Sequence, residues 1–235
     1  MHINLINQKI TDLWNKQFGN SDQVYAPLFY GDFKHNGILF VGCNPSFSKK
    51  GFSNFLRDTE YKNINPETFF VWKNVLSDPK NISTCVAIDR LAFDGYDGYF
   101  KGLRMIAEKI KLPWNHVDIF LYRQTSQAQF LPLVISGKKL NEFGRDQMEL
   151  FKEVLIEAHP KVIVIINAFA SELVREYFKN DLSFDSTHGF HNLTLSTGIK
   201  VPIFFSSMLT GQRALDRWSY ERLIWHIQQA INKTT

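Results

Sequence analysis

Cysteine is nearly absent: Cys43 and Cys85 are the only two among 235 residues. That excludes a disulfide framework, a four-cysteine zinc site and a cysteine-ligated iron–sulfur cluster, and it fits a reducing, cytoplasmic compartment. Long apolar runs are missing too. No stretch approaches the ~20 residues that a helix needs to cross a bilayer, so no membrane partner is expected. Residues 1–20 are polar and amphipathic, without the charged-then-apolar order of a secretory leader, and read as a first helix. Nor does one charge sign dominate: 27 Lys and Arg against 23 Asp and Glu leave +4. Such a balance tolerates a polyanionic partner without demanding one.

What is present is a core. Hydrophobic residues make up 44% of the chain and aromatics 14%, with only 21% charged, a composition far from that of disordered chains. At roughly 150 residues per domain, the expectation is a single domain over residues 1–235 with a long, mixed, partly helical insertion around 48–97. Apolar runs occur at 37–42 (GILFVG), 117–122 (VDIFLY), 161–166 (KVIVII) and 201–206 (VPIFFS). They have strand length and little alternation, as strands covered on both faces of a parallel sheet do. Between them, Phe151, Val154, Leu155 and Ala158 repeat at helical spacing, as do Tyr220, Leu223, Ile224, Ile227 and Ile231, and residues 168–178 form a third candidate. Strands alternating with helices predict an α/β fold with right-handed crossovers. Residues 180–198, with Gly189 and Gly198, read as a hairpin leading into the fourth strand.

Ligands of an open parallel sheet bind at the carboxyl ends of its strands. The segments of interest are therefore 42–48 (GCNPSFS), 122–127 (YRQTSQ), 167–171 (NAFAS) and 206–213 (SSMLTGQR). In the first, Gly42 permits close backbone approach, Pro45 fixes the turn, and Asn44 carries an uncharged amide able to orient a water. Asn44-Pro45-Ser46 is equally the composition of an ordinary strand-ending turn. Both readings stand at this point.

Gly-X-Asn-Pro-Ser at 42–46, the helix followed by HPKVIVIINAFA, and the serine-rich loop before Arg213 together resemble the uracil-DNA glycosylase superfamily. The nearest likeness is to its mismatch-specific uracil/thymine and single-strand-selective branches, whose first motif reads Gly-X-Asn-Pro-Gly. The resemblance implies a three-layer α/β/α fold with a short four-stranded parallel sheet, and a base flipped into a pocket at its carboxyl edge. It implies that Asn44 positions the attacking water and that Ser46 leaves the pocket open where a tyrosine would exclude a thymine methyl. Phe47, Phe52 and Phe55 are the candidates to stack on the base. Gly42, Cys43 and Pro45 complete the first motif, with backbone amides near Cys43 and Ser46 as donors to the base. Where the family's second motif begins with His or Asn before Pro-Ser, this chain reads Ser206-Ser207-Met208. Ser206 thus replaces the side chain that stabilises a departing base, and a hydroxyl is a weaker, neutral donor.

Gln124 sits near the family's base-reading amide, and Asn167 occupies a place where the family commonly has glycine, but Asn167 is equally placed to cap a helix starting at Ala168. Lys49, Lys50, Arg123, Ser207, Gly211, Gln212 and Arg213 are candidates for nucleic-acid contacts at the loop edge. Against this, Arg123 has the character of a surface or salt-bridged residue, and Arg213 has Asp216 and Glu221 within reach. His188 and His191 fit a hairpin better than a metal pair, the Asp94–Gly98 stretch lacks calcium-loop spacing, and Trp14, Trp72, Trp114, Trp218 and Trp225 read as packing residues. No metal and no cofactor are expected.

The leading expectation is metal-free hydrolysis of the N-glycosidic bond of uracil or a related damaged or mismatched base in single- or double-stranded DNA, by a monomer. The alternative is a catalytically weak or inactive nucleic-acid-binding module of the same fold. For a small-molecule hydrolase acting on free nucleosides, no Ser-His-Asp or Cys-His constellation is evident.

Overall fold

Unbroken runs of Val, Ile, Leu and Phe have no polar face to show water, so they become strands only where both faces are covered. A computed structural model covering residues 3–210 and 214–233 bears this out. In chain order its elements are α1 (Ile3–Phe18), β1 (Ile38–Gly42), α2 (Lys49–Leu56), α3 (Pro66–Phe69), α4 (Trp72–Leu76), α5 (Lys80–Gly95), α6 (Asp97–Ile110), β2 (Trp114–Asp118), α7 (Gln127–Val134), β3 (Ile135–Ser136) and β4 (Lys139–Leu140). There follow α8 (Glu142–Ala158), β5 (Val162–Ile165), α9 (Ala168–Tyr177), β6 (Leu182–Asp185), β7 (Phe190–Thr194), β8 (Lys200–Phe205) and α10 (Arg217–Lys233). The residues divide into two compact units, each built from three separate stretches of chain.

The sheet unit comprises Phe33–Cys43, Asp97–Ile119 and Val154–Thr235. Its sheet has six strands in the order β2-β1-β5-β8-β7-β6, not the four expected. β2, β1, β5 and β8 run parallel, whereas β7 pairs antiparallel with β8 and β6 with β7. The two additional strands come from residues 180–198, which form the hairpin that their turn glycines suggested; Gly189 sits at φ +73°, a conformation open to glycine at little cost. The second strand also differs from expectation. It spans Trp114–Asp118 rather than 117–122, in register with β1 from Ile38 opposite Trp114 to Gly42 opposite Asp118.

The helical unit comprises Met1–Asp32, Asn44–Tyr96 and Phe120–Glu153. The insertion around 48–97 contributes α2 to α5 to it. Trp14 is fully buried on α1, its ring 5.4 Å from Phe143 and 5.6 Å from Phe18. Leu121 belongs here and not to the sheet. Its N–H donates to Gln147 Oε1 and its carbonyl accepts from Leu28 N–H. Of the five tryptophans, Trp14 and Trp72 are core residues, but Trp218 and Trp225 are 68% and 54% exposed and do not pack as expected; they lie on the outward face of α10. No helix among the described residues is long and apolar enough to cross a membrane.

Candidate functional site

The first loop begins where the sheet unit ends: Gly42 and Cys43 belong to that unit, and Asn44 starts a segment of the helical unit. Within the helical unit, residues 44–47 are tied to residues 122–126. Gln124 N–H donates to the Pro45 carbonyl at 3.0 Å. The Asn44 amide donates from Nδ2 to the Gln124 carbonyl at 2.6 Å and the Tyr122 carbonyl at 3.2 Å. Carbonyl oxygens only accept, so the nitrogen must be the end facing them. The orientation of Asn44 is thereby fixed, and Oδ1 is left as an acceptor to which no described residue donates.

Thr125 ties the same loops from the other side. Its Oγ1 donates to the Phe47 carbonyl at 2.9 Å, accepts from Phe47 N–H at 3.2 Å, and lies 3.0 Å from Ser46 Oγ. Gln124 Oε1 accepts from Ser126 N–H at 3.0 Å. Asn44, Ser46 and Gln124, drawn from two distant stretches of sequence, are thus brought together. Thr125 is the residue that sequence reasoning passed over, although it stood inside one of the four loops singled out.

The phenylalanines separate. Phe47 is buried, with its ring 4.3 Å from Tyr25, 5.0 Å from Phe52 and 5.5 Å from Phe70. Phe52 and Phe47 share this aromatic cluster, whereas Phe55 packs against Gly95 of α5. Against the Phe70 ring of the cluster lies Arg123, only 3% exposed. Its guanidinium donates to Asp89 Oδ1 at 3.0 Å and Oδ2 at 2.6 Å, and from Nε to the Ala26 carbonyl at 3.0 Å; it sits 4.9 Å from the centre of the Phe70 ring. Arg123 is therefore a structural ion pair and not a phosphate contact at the loop edge, a correction that follows from its burial and its full set of partners. Of the two lysines expected there, Lys49 pairs with Glu67 at 3.4 Å and Lys50 is exposed at the start of α2.

In the sheet unit, Gly42 has a different reason to be glycine. A Cβ there would overlap Asp118 Oδ1 and come within 3.2 Å of His116 Nε2. His116 and Asp118 are two apart on β2 and so share one face; both are buried. Tyr99 Oη lies 3.4 Å from His116 Nε2. Burial pushes the His116 imidazole down to about 3, so it is neutral at physiological pH. Burial, with Asp118 and then Cys43 adding to it, holds the Tyr99 phenol protonated well above its usual range. Burial and then Asp118 do the same to the Cys43 thiol. A thiol in that state is no nucleophile.

Two further positions are settled by local geometry. Asn167 caps α9: its Oδ1 accepts from Ala170 N–H at 3.0 Å. That acceptor is engaged by the helix, and the Nδ2 group is the donor that Asn167 has left. Ser206, half-buried past the end of β8, has its N–H on the Ile165 carbonyl and its carbonyl on Ser171 Oγ. Its backbone thus closes the β5–β8 edge, with Ser207 following. Gly211, Gln212 and Arg213 lie outside the described residues. His188 sits in the β6–β7 turn with Nδ1 2.8 Å from Asp185 Oδ2. Among the described residues no group of three or more His, Cys, Asp or Glu is placed to hold a metal.

Comparison of the sequence with protein-family models gives no match, and comparison with curated proteins gives none.

Proposed function

We propose that the chain is a DNA glycosylase-like hydrolase that cleaves the N-glycosidic bond of uracil or a related deaminated or mismatched base. The observation that carries this reading is the Asn44 amide, pinned through Nδ2 by the Tyr122 and Gln124 carbonyls so that Oδ1 is presented as a fixed acceptor. Breaking a glycosidic bond develops positive charge on the sugar and negative charge on the base. A water held by one of its O–H groups on Asn44 Oδ1 keeps a lone pair directed elsewhere. It attacks as the bond to the base lengthens, without a charged general base; the oxygen becomes the sugar hydroxyl, and the proton it loses ends on the base, which leaves with the electron pair of the broken bond. The superfamily's three-layer arrangement, with the four parallel strands β2, β1, β5 and β8 as counterpart of its sheet, the use of DNA as partner, a monomeric state and a cytoplasmic location all belong to this reading.

Incubating the protein with oligonucleotides carrying uracil, hypoxanthine or a mismatch, followed by alkaline cleavage, tests it. Strand breaks at the modified base are expected, and Asn44→Ala should lower their rate at least ~100-fold, as loss of one positioned catalytic group does. Absence of abasic sites with every substrate at high enzyme concentration overturns the reading. Ser206→Ala measures separately whether the second-motif position contributes.

A second reading, a nucleic-acid-binding module without catalysis, is favoured by Ser206 standing where the superfamily has His or Asn. It predicts salt-dependent binding to DNA without base release.

A further inference from the structure

We propose that Ser46 is a specificity-determining residue, a hydroxyl locked as a hydrogen-bond acceptor that reads a ring N–H of the base. The inference rests on the glycosylase reading above and adds to it which edge of the base is read. It follows from counting protons. A threonine hydroxyl has one proton and two lone pairs. The Thr125 proton goes to the Phe47 carbonyl, 2.9 Å away, because a carbonyl has nothing to donate. One lone pair takes Phe47 N–H at 3.2 Å. Only the other lone pair is left for Ser46 Oγ at 3.0 Å, so Ser46 is the donor in that pair. Its single proton is committed, and Ser46 Oγ faces a ligand with lone pairs alone.

The neighbouring groups are fixed by the same logic. Asn44 offers Oδ1, an acceptor. Gln124 has Oε1 on Ser126 N–H, so its Nε2 is the donor left to present. With Asn44 Oδ1 given to the water, the acceptor Ser46 Oγ and the donor Gln124 Nε2 on one pair of tied loops match a base edge in which an N–H adjoins a carbonyl, as N3–H adjoins O4 in uracil. A base that offers a lone pair or a methyl group in place of the ring N–H sets it against the lone pairs of Ser46. Thr125 acts through Ser46 as a positioning residue. Remove its hydroxyl and the Ser46 proton is released, so that Ser46 can donate as well as accept.

The test uses the full chain and two single-stranded oligonucleotides, one with a single deoxyuridine and one with a single N3-methyldeoxyuridine. Base release under single-turnover conditions and the dissociation constant by fluorescence anisotropy are both read. The wild-type protein should prefer deoxyuridine by roughly tenfold, the value of one net hydrogen bond at a partly solvated site. Ser46→Ala and Thr125→Val should each reduce the preference to within about threefold, and Thr125→Ser, which keeps the hydroxyl, should restore it. Ser46 is exposed, so its alanine variant is not expected to unfold the chain. A wild-type ratio in Ser46→Ala overturns the inference, as does Thr125→Val matching wild type. If no base is released but the affinity ratio is present and lost in Ser46→Ala, the glycosylase reading falls and the inference stands. Release with an unchanged ratio removes the inference alone. No release and equal affinities remove both.

Discussion

Arg123 in the helical unit and His116 in the sheet unit are both almost wholly buried, yet the two units handle the burial differently. Arg123 keeps its charge, since a guanidinium cannot deprotonate in a protein, and the helical unit supplies a carboxylate on two of its nitrogens, a backbone carbonyl and a ring face. Burial pushes the Asp89 carboxyl up and Arg123 draws it back down. His116 has a neutral form within reach and takes it, its pKa falling to about 3 with desolvation as the cause. His116 can shed its charge and is buried neutral; Arg123 cannot and is buried paired. The cost of disturbing each should differ accordingly.

The largest effect is expected at the ion pair. Asp89→Ala leaves a guanidinium buried without its counter-charge, and such losses cost about 3–5 kcal/mol, read from urea denaturation at pH 7. The double variant Asp89→Leu with Arg123→Met should recover most of that; equal loss in single and double variants would show that packing, not charge, is what the site needs.

The next test concerns pH. The folded pKa of His116, about 3, lies below its ordinary value of 6.5. Between those values the unfolded chain binds a proton that the folded chain does not, so stability is full above pH 6.5 and is lost as pH falls toward 3. This one group contributes a slope approaching ~1.4 kcal/mol per pH unit. Urea midpoints at several pH values in that window, compared between wild type and His116→Gln, isolate it. A slope identical in both would place the acid sensitivity elsewhere.

A smaller effect, about 1–3 kcal/mol, is expected for Gly42→Ala, which drives a methyl group into the Asp118 carboxylate. If that overlap is the cause, adding Gly42→Ala to Asp118→Ala should cost little more than Asp118→Ala alone in thermal denaturation. The smallest is Asn167→Ala, about 1 kcal/mol for a lost helix cap. That variant should leave base release, if present, close to wild type. A loss of activity out of proportion to stability would place Asn167 at the ligand as well as at the cap.

The apolar runs that could be seen in the sequence did form β1, β5 and β8, because a strand covered on both faces must be apolar throughout. β2 shifted for the same reason seen from the other side. Trp114, Asn115 and His116 do not look like a buried strand, and Phe120 and Leu121 look like one but are buried in the helical unit, where Leu121 bonds to Leu28 and Gln147. Arg123 shows the limit most clearly. Its partner Asp89 lies 34 residues back, and no local pattern announces a pair made across that distance. Asn167 is the opposite case, since a cap acts on the residues that follow it, and the sequence held that reading beside the functional one.

Composition and periodicity by themselves determined that this is an α/β protein with a parallel run of strands, and that its loops of interest follow those strands. These are local properties, set by side-chain alternation and by which residues tolerate a turn. Only the tertiary structure decided which loop side chains are structural and which face outward. Donors and acceptors are assigned by partners distant in sequence: Tyr122 and Gln124 for Asn44, Thr125 for Ser46, Asp89 for Arg123. A polar side chain has a fixed number of protons and lone pairs, and what remains for a ligand is known only once the fold has claimed its share.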